Sequence, residues 1–190
     1  MNLLLLNVSP NRQGSSSELT KKIYNCLHKK INLQVVNLHK FKISPCAGCY
    51  NYCYKYGKCK LYDDMQILYN EFEHCDGLIF VTPVYFYHIP GYAKVMIDRC
   101  QPYWVRKYVL KNLTLPNRFG SVICIGATKG EKLFTGINLT MKYFFDIFNF
   151  NFFVDDNLYL RRIENKKDLV KHKTEIESYI NRIRIKLTEP

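Results

Sequence analysis

Residues 3–8 read LLLLNV and lead directly into SPNRQGSSS at residues 9–17. A short, continuous apolar run that ends at Ser-Pro is typical of a strand buried on both faces of a parallel sheet. The polar loop closes with Ser15 and, three residues later, Glu18, a spacing that predicts a capping box and the start of a helix. The decisive stretch is therefore a strand, a polar loop and a helix.

The same order recurs along the whole chain. Apolar runs predict five strands, at residues 3–8, 33–38, 77–81, 121–125 and 150–160. Helical patterns follow them after residue 15, from residue 63 or 64 to 72, at 90–106, at 136–148 and from the end of the fifth strand onward. Parallel neighbours need right-handed crossovers, so the pattern predicts an α/β fold with a doubly wound, five-stranded parallel sheet in the order 2-1-3-4-5.

Length and composition favour a single domain over residues 1–190, with a cysteine-rich loop at 44–60. The 190 residues are 47% apolar and 15% aromatic, which is enough to bury a sizeable core, and no repeat or linker divides them. The chain start lacks the charged segment of a secretory signal, and no apolar run approaches the roughly 20 residues of a membrane helix. These features predict a cytoplasmic protein with no membrane partner.

The net charge of +12 raises the question of a nucleic-acid partner. The charge is scattered, the C-terminal stretch mixes basic with acidic residues, and no recognition motif accompanies it. We therefore expect no nucleic-acid partner. A zinc-bearing nucleic-acid module stays open as an alternative of a different class.

Ligands of a doubly wound sheet bind beyond the carboxyl ends of the strands, at the switch point between strands one and three. The loop after strand one precedes a helix N-terminus and carries hydroxyl, amide and guanidinium groups able to hold a phosphate, at Ser9, Asn11, Arg12, Ser15, Ser16 and Ser17. A solvated turn with an ordinary helix cap explains the same residues equally well. The loop contains neither of the glycine-rich phosphate fingerprints, GxGxxG and GxxxxGK[ST].

Two further loops meet at this edge of the predicted sheet. TPVYFYHIPG, residues 82–91, places aromatic side chains after strand three, where a flat ring could lie, although packing in the core is the commoner use of such residues. His88 in this loop is a candidate proton donor or an ordinary surface residue. GATKG, residues 126–130, follows strand four with small residues that allow a ligand to approach the backbone.

Four cysteines fall close together in the spacing C-x2-C-x3-C-x5-C, at Cys46, Cys49, Cys53 and Cys59. Four thiolates on one short segment suit an iron-sulfur cluster, whereas structural zinc usually takes two separated pairs. Free thiols or a redox pair are the remaining alternatives. Elsewhere, the adjacent Asp98 and Arg99 predict an ion pair at a helix end.

Three stretches carry a resemblance to a known family: SPNRQGSSSEL, ISPCAGCYNYCYKYGKCKLYDDM and TPVYFYHIPGYAKVMIDRCQPYWVRKY. The chain resembles the iron-sulfur flavoprotein branch of the flavodoxin-like, NAD(P)H-dependent FMN reductases. It departs from the family pattern at Val8, often glycine there, at Asn11, usually arginine, and by one extra residue before Cys53.

The resemblance implies flavin mononucleotide (FMN) as cofactor, with its phosphate on Ser9, Asn11, Ser15 and Ser16. It implies that the isoalloxazine lies against Thr82, Pro83, Val84, Tyr85 and Phe86, and that Ala127, Thr128 and Lys129 close the site. By the same resemblance, Cys46, Cys49, Cys53 and Cys59 would hold a 4Fe-4S cluster. NAD(P)H is then a possible electron donor.

These expectations define an electron-transfer flavoprotein that passes electrons to a redox partner or a small acceptor. The alternative is an NAD(P)H-dependent reductase of quinones or similar acceptors whose cysteines hold no cluster. No Ser-His-Asp or Cys-His arrangement is evident, so we predict no catalytic side chain. An aromatic flavin edge predicts a homodimer or homotetramer, because a monomer would expose a sizeable apolar patch.

Overall fold

Five parallel strands form one sheet in the order β2-β1-β3-β4-β5. The structure, a computed structural model, describes residues 1–188; residues 189 and 190, the end of the predicted last helix and of the predicted domain, lie outside the described residues. The strands are β1 (Asn2–Asn7), β2 (Asn32–Asn37), β3 (Gly77–Pro83), β4 (Phe119–Ile125) and β5 (Leu158–Leu160). The predicted fold class and strand order are confirmed.

Both faces of the sheet are covered, which explains the unbroken apolar run of β1. Leu4 and Leu6 pack into the core on one face, and Leu3 and Leu5 pack into the core on the other. All four side chains are at most 1% exposed. A strand buried on both faces needs apolar residues at successive positions rather than at alternate ones.

Helices flank the sheet on both sides. The main helices are α1 (Ser15–Leu27), α2 (Tyr50–Tyr56), α3 (Met65–His74), α4 (Gly91–Asp98), α5 (Gln101–Trp104), α6 (Thr135–Ile147) and α7 (Lys173–Thr188). Helices α1 and α7 pack on one face, and α3, α4 and α6 pack on the other. Within residues 1–188, no helix is long and apolar enough to cross a membrane.

Two predicted elements differ from the structure. The predicted helix at 90–106 is divided into α4, α5 and a π-helical turn at Val105–Val109, because Pro102 lies in the first turn of α5 and cannot continue the preceding helix. The predicted strand at 150–160 shrinks to β5, and Phe150 forms only a single bridge with Arg118. Just before β5, the Val122 backbone N–H of β4 donates to the side-chain oxygen of Asn157 at 2.8 Å, in place of a backbone carbonyl of a neighbouring strand.

The cysteine-rich segment contains a helix that the sequence pattern did not predict. Residues Tyr50–Tyr56 form the two-turn helix α2, which ends at Gly57 in the left-handed region at φ 59°. Glycine adopts that conformation without the steric cost that other residues meet. The turn returns the chain toward Cys59.

Candidate functional site

The loop after β1 ends in a helix N-terminus with free donors. Gly14 is the N-cap of α1, and no side chain caps the helix. The predicted capping box of Ser15 and Glu18 is therefore wrong: Ser15 is already the first helical residue, and the Glu18 backbone N–H donates to the Gly14 carbonyl at 3.0 Å. In the described residues, the backbone N–H groups of Ser15, Ser16 and Ser17 have no acceptor. Such orphan donors, with the positive end of the helix dipole, favour an anion.

Hydrogen bonds inside the loop fix its shape. The Asn7 side chain accepts from the Ser9 backbone N–H at 3.1 Å and donates to the Ser17 hydroxyl at 3.2 Å. The Ser17 hydroxyl in turn donates to the Asn11 carbonyl at 2.9 Å. Ser9 and Ser17 are buried, and the hydroxyl groups of both form hydrogen bonds with Asn11 inside the loop. The hydroxyls of Ser15 and Ser16, in contrast, form no hydrogen bond within residues 1–188.

A cleft with a volume of about 410 Å³ opens beside this loop, and we call it the switch-point cleft. Its walls come from the loops after β1, β3 and β4 and from a fourth segment after β5. Its lining residues are Ser9, Asn11, Gln13, Gly14, Ser15, Ser16, Pro83, Val84, Tyr85, Ile125, Ala127, Ile163, Glu164, Asn165 and Lys166. The volume lies in the range of small-molecule sites.

The structure brings most of the predicted cofactor residues to this cleft, but not all of them. Arg12 and Ser17 line a different cavity on the other side of α1. Thr82 is buried, and its hydroxyl donates to the Pro83 carbonyl at 2.8 Å. The side chains of three further predicted residues are exposed and lie outside the lining of the cleft, namely Phe86, Thr128 and Lys129.

The segment at 163–166 is a wall of the cleft that the sequence prediction missed. The Ile163 backbone N–H donates to the Gly126 carbonyl at 3.0 Å, which joins this segment to the GATKG loop. Asn165 caps the next turn in a reciprocal capping box with Asp168. The sequence contained one signal for this wall, namely its position. The segment follows the fifth strand, whose carboxyl end reaches the same sheet edge as the ends of the other strands.

A tight turn shapes the aromatic side of the cleft. Tyr85 and His88 exchange two backbone hydrogen bonds at 2.8 and 2.9 Å, and between them Phe86 and Tyr87 lie at φ 48° and 61°. Two consecutive non-glycine residues at positive φ are strained, and such strain clusters at functional sites. A Cβ atom at position 136 would lie 2.9 Å from the Tyr87 carbonyl oxygen, so Gly136 allows α6 to pack against the turn.

His88 points away from the cleft. Its Nε2 lies 3.0 Å from the Thr140 hydroxyl on α6, and His88 is not among the residues that line the cleft. The structure therefore gives His88 a packing partner on a helix. It gives no contact by which His88 would donate a proton into the cleft.

The four clustered cysteines lie before, within and after α2. Cys49 is the N-cap of this helix, Cys53 is buried within it, and all four thiols are free. Burial, followed by the proximity of Cys49, Cys59 and Cys46, raises the pKa of Cys53 to about 11. The four thiols therefore share one environment, although in residues 1–188 no three His, Cys, Asp or Glu side chains are arranged to hold a single metal ion.

A buried arginine fastens the cysteine-rich segment to the rest of the protein. Arg99 is 1% exposed, and its guanidinium donates to the Ser44 carbonyl at 2.8 Å and to the Asp63 carboxylate at 2.8 and 3.2 Å. The predicted Asp98–Arg99 pair is wrong, since Asp98 pairs with Lys94 one turn earlier. The sequence pattern did not indicate this buried role of Arg99, because nothing local distinguishes Arg99 from a surface helix-end residue.

The ionisable groups beside Arg99 include Asp63, Cys59 and Tyr69. Burial favours the neutral acid, but hydrogen bonds from Arg99 and from the Ser44 and Met65 backbone N–H groups lower the pKa of Asp63 to about 2. Burial by itself lowers the pKa of Arg99, whereas hydrogen bonding to Asp63 and Cys59 raises it above its ordinary value. The Arg99 Nε–H is buried and meets no well-aligned acceptor among the described residues.

A doubly wound sheet in the order 2-1-3-4-5, with free helix-terminal donors at its switch point, is typical of the flavodoxin-like class of folds. The model of the NADPH-dependent FMN reductase family matches residues 1–130. The chain belongs to that family, which is a family of oxidoreductases. The predicted family and enzyme class are confirmed.

Curated relatives and solved structures agree with this assignment. An iron-sulfur flavoprotein of Methanocaldococcus jannaschii is 26% identical over 145 residues, which cover 76% of this chain and 72% of the relative. One from Archaeoglobus fulgidus is 29% identical over 70% of this chain and 59% of its own length. The NAD(P)H:quinone oxidoreductase of Methanothermobacter marburgensis superposes with a TM-score of 0.74 over 97% of this chain and 95% of its own, at 15% identity, and shows the shared fold.

Proposed function

We propose that the chain binds one FMN non-covalently in the switch-point cleft and works as an electron-transfer oxidoreductase with NAD(P)H as a donor. One observation carries this proposal: the unpaired backbone N–H groups of Ser15 and Ser16, at the start of α1, adjoin a cleft that also meets the loops after β3 and β4. A single phosphate fits that helix N-terminus, and the missing pyrophosphate fingerprint favours FMN over a dinucleotide.

Each part of the cleft has a separate task in this proposal. Ser15 and Ser16 offer free hydroxyls and backbone donors to the phosphate. Val84 and Tyr85 supply apolar contact for the ring system, and the strained turn holds them in place. When bound, FMN supplies hydride and single-electron chemistry. The side chains bind and orient it, and we assign no side chain a role as nucleophile.

Replacement of Ser15 and Ser16 by glutamate tests the phosphate loop. Two carboxylates would occupy the anion site and repel the phosphate, so the S15E/S16E protein should purify with less than about a tenth of the wild-type FMN content. T174E/S178E, with the same charge change on the exposed surface of α7, is the control and should keep its FMN. Full FMN occupancy of S15E/S16E would refute the assignment of this loop.

We further propose that Cys46, Cys49, Cys53 and Cys59 hold a 4Fe-4S cluster. Their spacing, the environment that their thiols share and the names of the curated relatives support this proposal. Arg99 supports it as well, because hydrogen bonding to Cys59 helps to raise the pKa of Arg99, which places a buried guanidinium donor beside one of the four candidate sulfur ligands. Hydrogen bonds to the sulfurs are one means by which proteins tune such clusters.

Serine replacement of each of the four cysteines tests the cluster. Each variant, purified without oxygen, should lose most of its iron and its broad visible absorption, while FMN stays near one per chain because the cleft is built from other loops. C26S, which changes an exposed cysteine on α1, should keep both cofactors. Wild-type protein that carries FMN but no iron, even after reconstitution, would favour the alternative of a quinone-type reductase without a cluster.

A further inference from the structure

A second cavity, larger than the switch-point cleft, lies outside it. It is a groove with a volume of about 690 Å³ between α1 and the edge strand β2, and we call it the β2 groove. Ser17, Thr20, Lys21, Tyr24 and Asn25 of α1 line it, at the spacing of a single helix face. Alternate residues of β2 form the floor, namely Leu33, Val35 and Asn37.

The β2 groove is strongly cationic. Arg12, Lys21 and Lys40 line it, no acidic residue does, and none of the three forms an ion pair within residues 1–188. Burial and then the positive charge of Arg12 lower the pKa of His39, with Lys40 adding to the effect. Arg12 and Lys40 therefore both lie near His39 in the lining of the groove.

The groove also carries an apolar surface. Tyr24, Leu33 and Val35 add an aromatic ring and aliphatic contact along the floor and wall.

We propose that the β2 groove binds a phosphorylated nucleotide. Its phosphate would lie on Arg12, Lys21 and Lys40, and its base against Tyr24 and the apolar floor. Cations pair with phosphate, and an apolar wall suits a flat base. NADPH is one source of such a nucleotide, and that choice rests on the proposed function.

Calorimetric titration of the FMN-loaded protein with 2′,5′-ADP at low salt tests this proposal. We expect saturable binding to the wild type and at least tenfold weaker binding to K21E/K40E. K29E/K30E makes the same charge change outside the groove, at two exposed lysines, and should stay within twofold of the wild type. K21Q/K40Q, which removes charge without reversing it, should lie between the wild type and K21E/K40E.

Several results would overturn the proposal: no binding at millimolar 2′,5′-ADP, equal losses of affinity in both glutamate variants, or orthophosphate binding as tightly as the nucleotide.

If 2′,5′-ADP binds and competes with NADPH, and K21E/K40E raises KM for NADPH but not for NADH, the groove takes the adenosine end of NADPH. If it binds without competing, a separate nucleotide is the ligand; both results uphold the groove as a nucleotide site. FMN content and NADPH oxidation, measured on the same samples, report separately on the proposed function.

Discussion

At the scale of single residues, Arg99 shows what a local pattern misses. Asp98 and Arg99 are neighbours in sequence, but adjacent residues on a helix point in different directions and do not face each other. Asp98 instead meets Lys94 at the i,i+4 spacing, and Arg99 turns inward to Asp63, which lies 36 positions earlier. The partner of a buried charge depends on tertiary packing, so the sequence offered no way to choose Asp63.

The Arg99–Asp63 pair should matter for stability. D63N leaves a buried guanidinium without its counter-charge, and we expect the free energy of unfolding to fall by about 3 kcal/mol. D98N breaks an exposed helix pair and should cost only about 0.5 kcal/mol. Denaturant unfolding measures both, and equal effects of the two substitutions would contradict the pairing.

The pH dependence of the same comparison has a definite sign. Because the pKa of Asp63 is lowered to about 2 in the folded protein, its carboxylate stabilises the fold above the unfolded pKa of about 4. That contribution is lost as the pH falls from about 4 through about 2. The stability difference between wild type and D63N should therefore be constant at neutral pH and shrink in that acidic window.

At the scale of elements, the strands were more predictable than the segments between them. The buried strands could be predicted because short, continuous apolar runs in a chain of this size seldom form anything other than buried strands. The division of the predicted helix at 90–106 follows from Pro102, whereas the shortness of β5 depends on where polar side chains find partners, as with Asn157 and Val122. Strand positions therefore followed from local pattern, whereas the 163–166 wall of the cleft depended on a contact with Gly126 that is distant in sequence.

The turn between β3 and α4 offers a test of stored strain. Phe86 lies at φ 48° and is fully exposed, so F86G removes strain of about 1–2 kcal/mol and loses no packing, at an entropic cost of about 0.5–1 kcal/mol. Flavin-free F86G should be more stable than wild type by about 0.5 kcal/mol, and its affinity for FMN should fall if Phe86 contacts the ring.

Y62G is the matched control for this substitution. Tyr62 is also exposed, at 93%, but its φ is not positive, so glycine there gains nothing and should destabilise the protein by about 0.5–1 kcal/mol. Thermal unfolding of the flavin-free proteins compares the two substitutions. Equal destabilisation by F86G and Y62G would show that the turn stores no strain.

At the scale of the whole molecule, the candidate site is assembled from loops that the chain order keeps apart. The sequence predicted that these loops share a sheet edge, and the fold places most of the predicted residues around one cleft. It could not separate Ser15 and Ser16, whose hydroxyls are free, from Ser9 and Ser17, whose hydroxyls are used inside the loop. The assignment of residues 1–190 to a single domain stays a prediction.

The exposed aromatic surface bears on assembly. Tyr54, Trp104 and Tyr108 form a connected row with ring centroids 6.4 and 5.9 Å apart, and each side chain is at least 39% exposed. A continuous exposed aromatic surface commonly marks an interaction site. We therefore keep the proposal of a homo-oligomer, in which copies of the chain cover this row.

Native mass spectrometry of the purified protein tests the central claim most directly, because one spectrum gives the subunit number and the mass of bound cofactor. We predict that each chain carries one FMN and that denaturation releases this FMN intact, since the cleft offers a single-phosphate site and no covalent attachment is proposed. Mild conditions should also preserve an assembly of two or four chains. Chains that emerge repeatedly without flavin, and that fail to take up added FMN, would contradict the account.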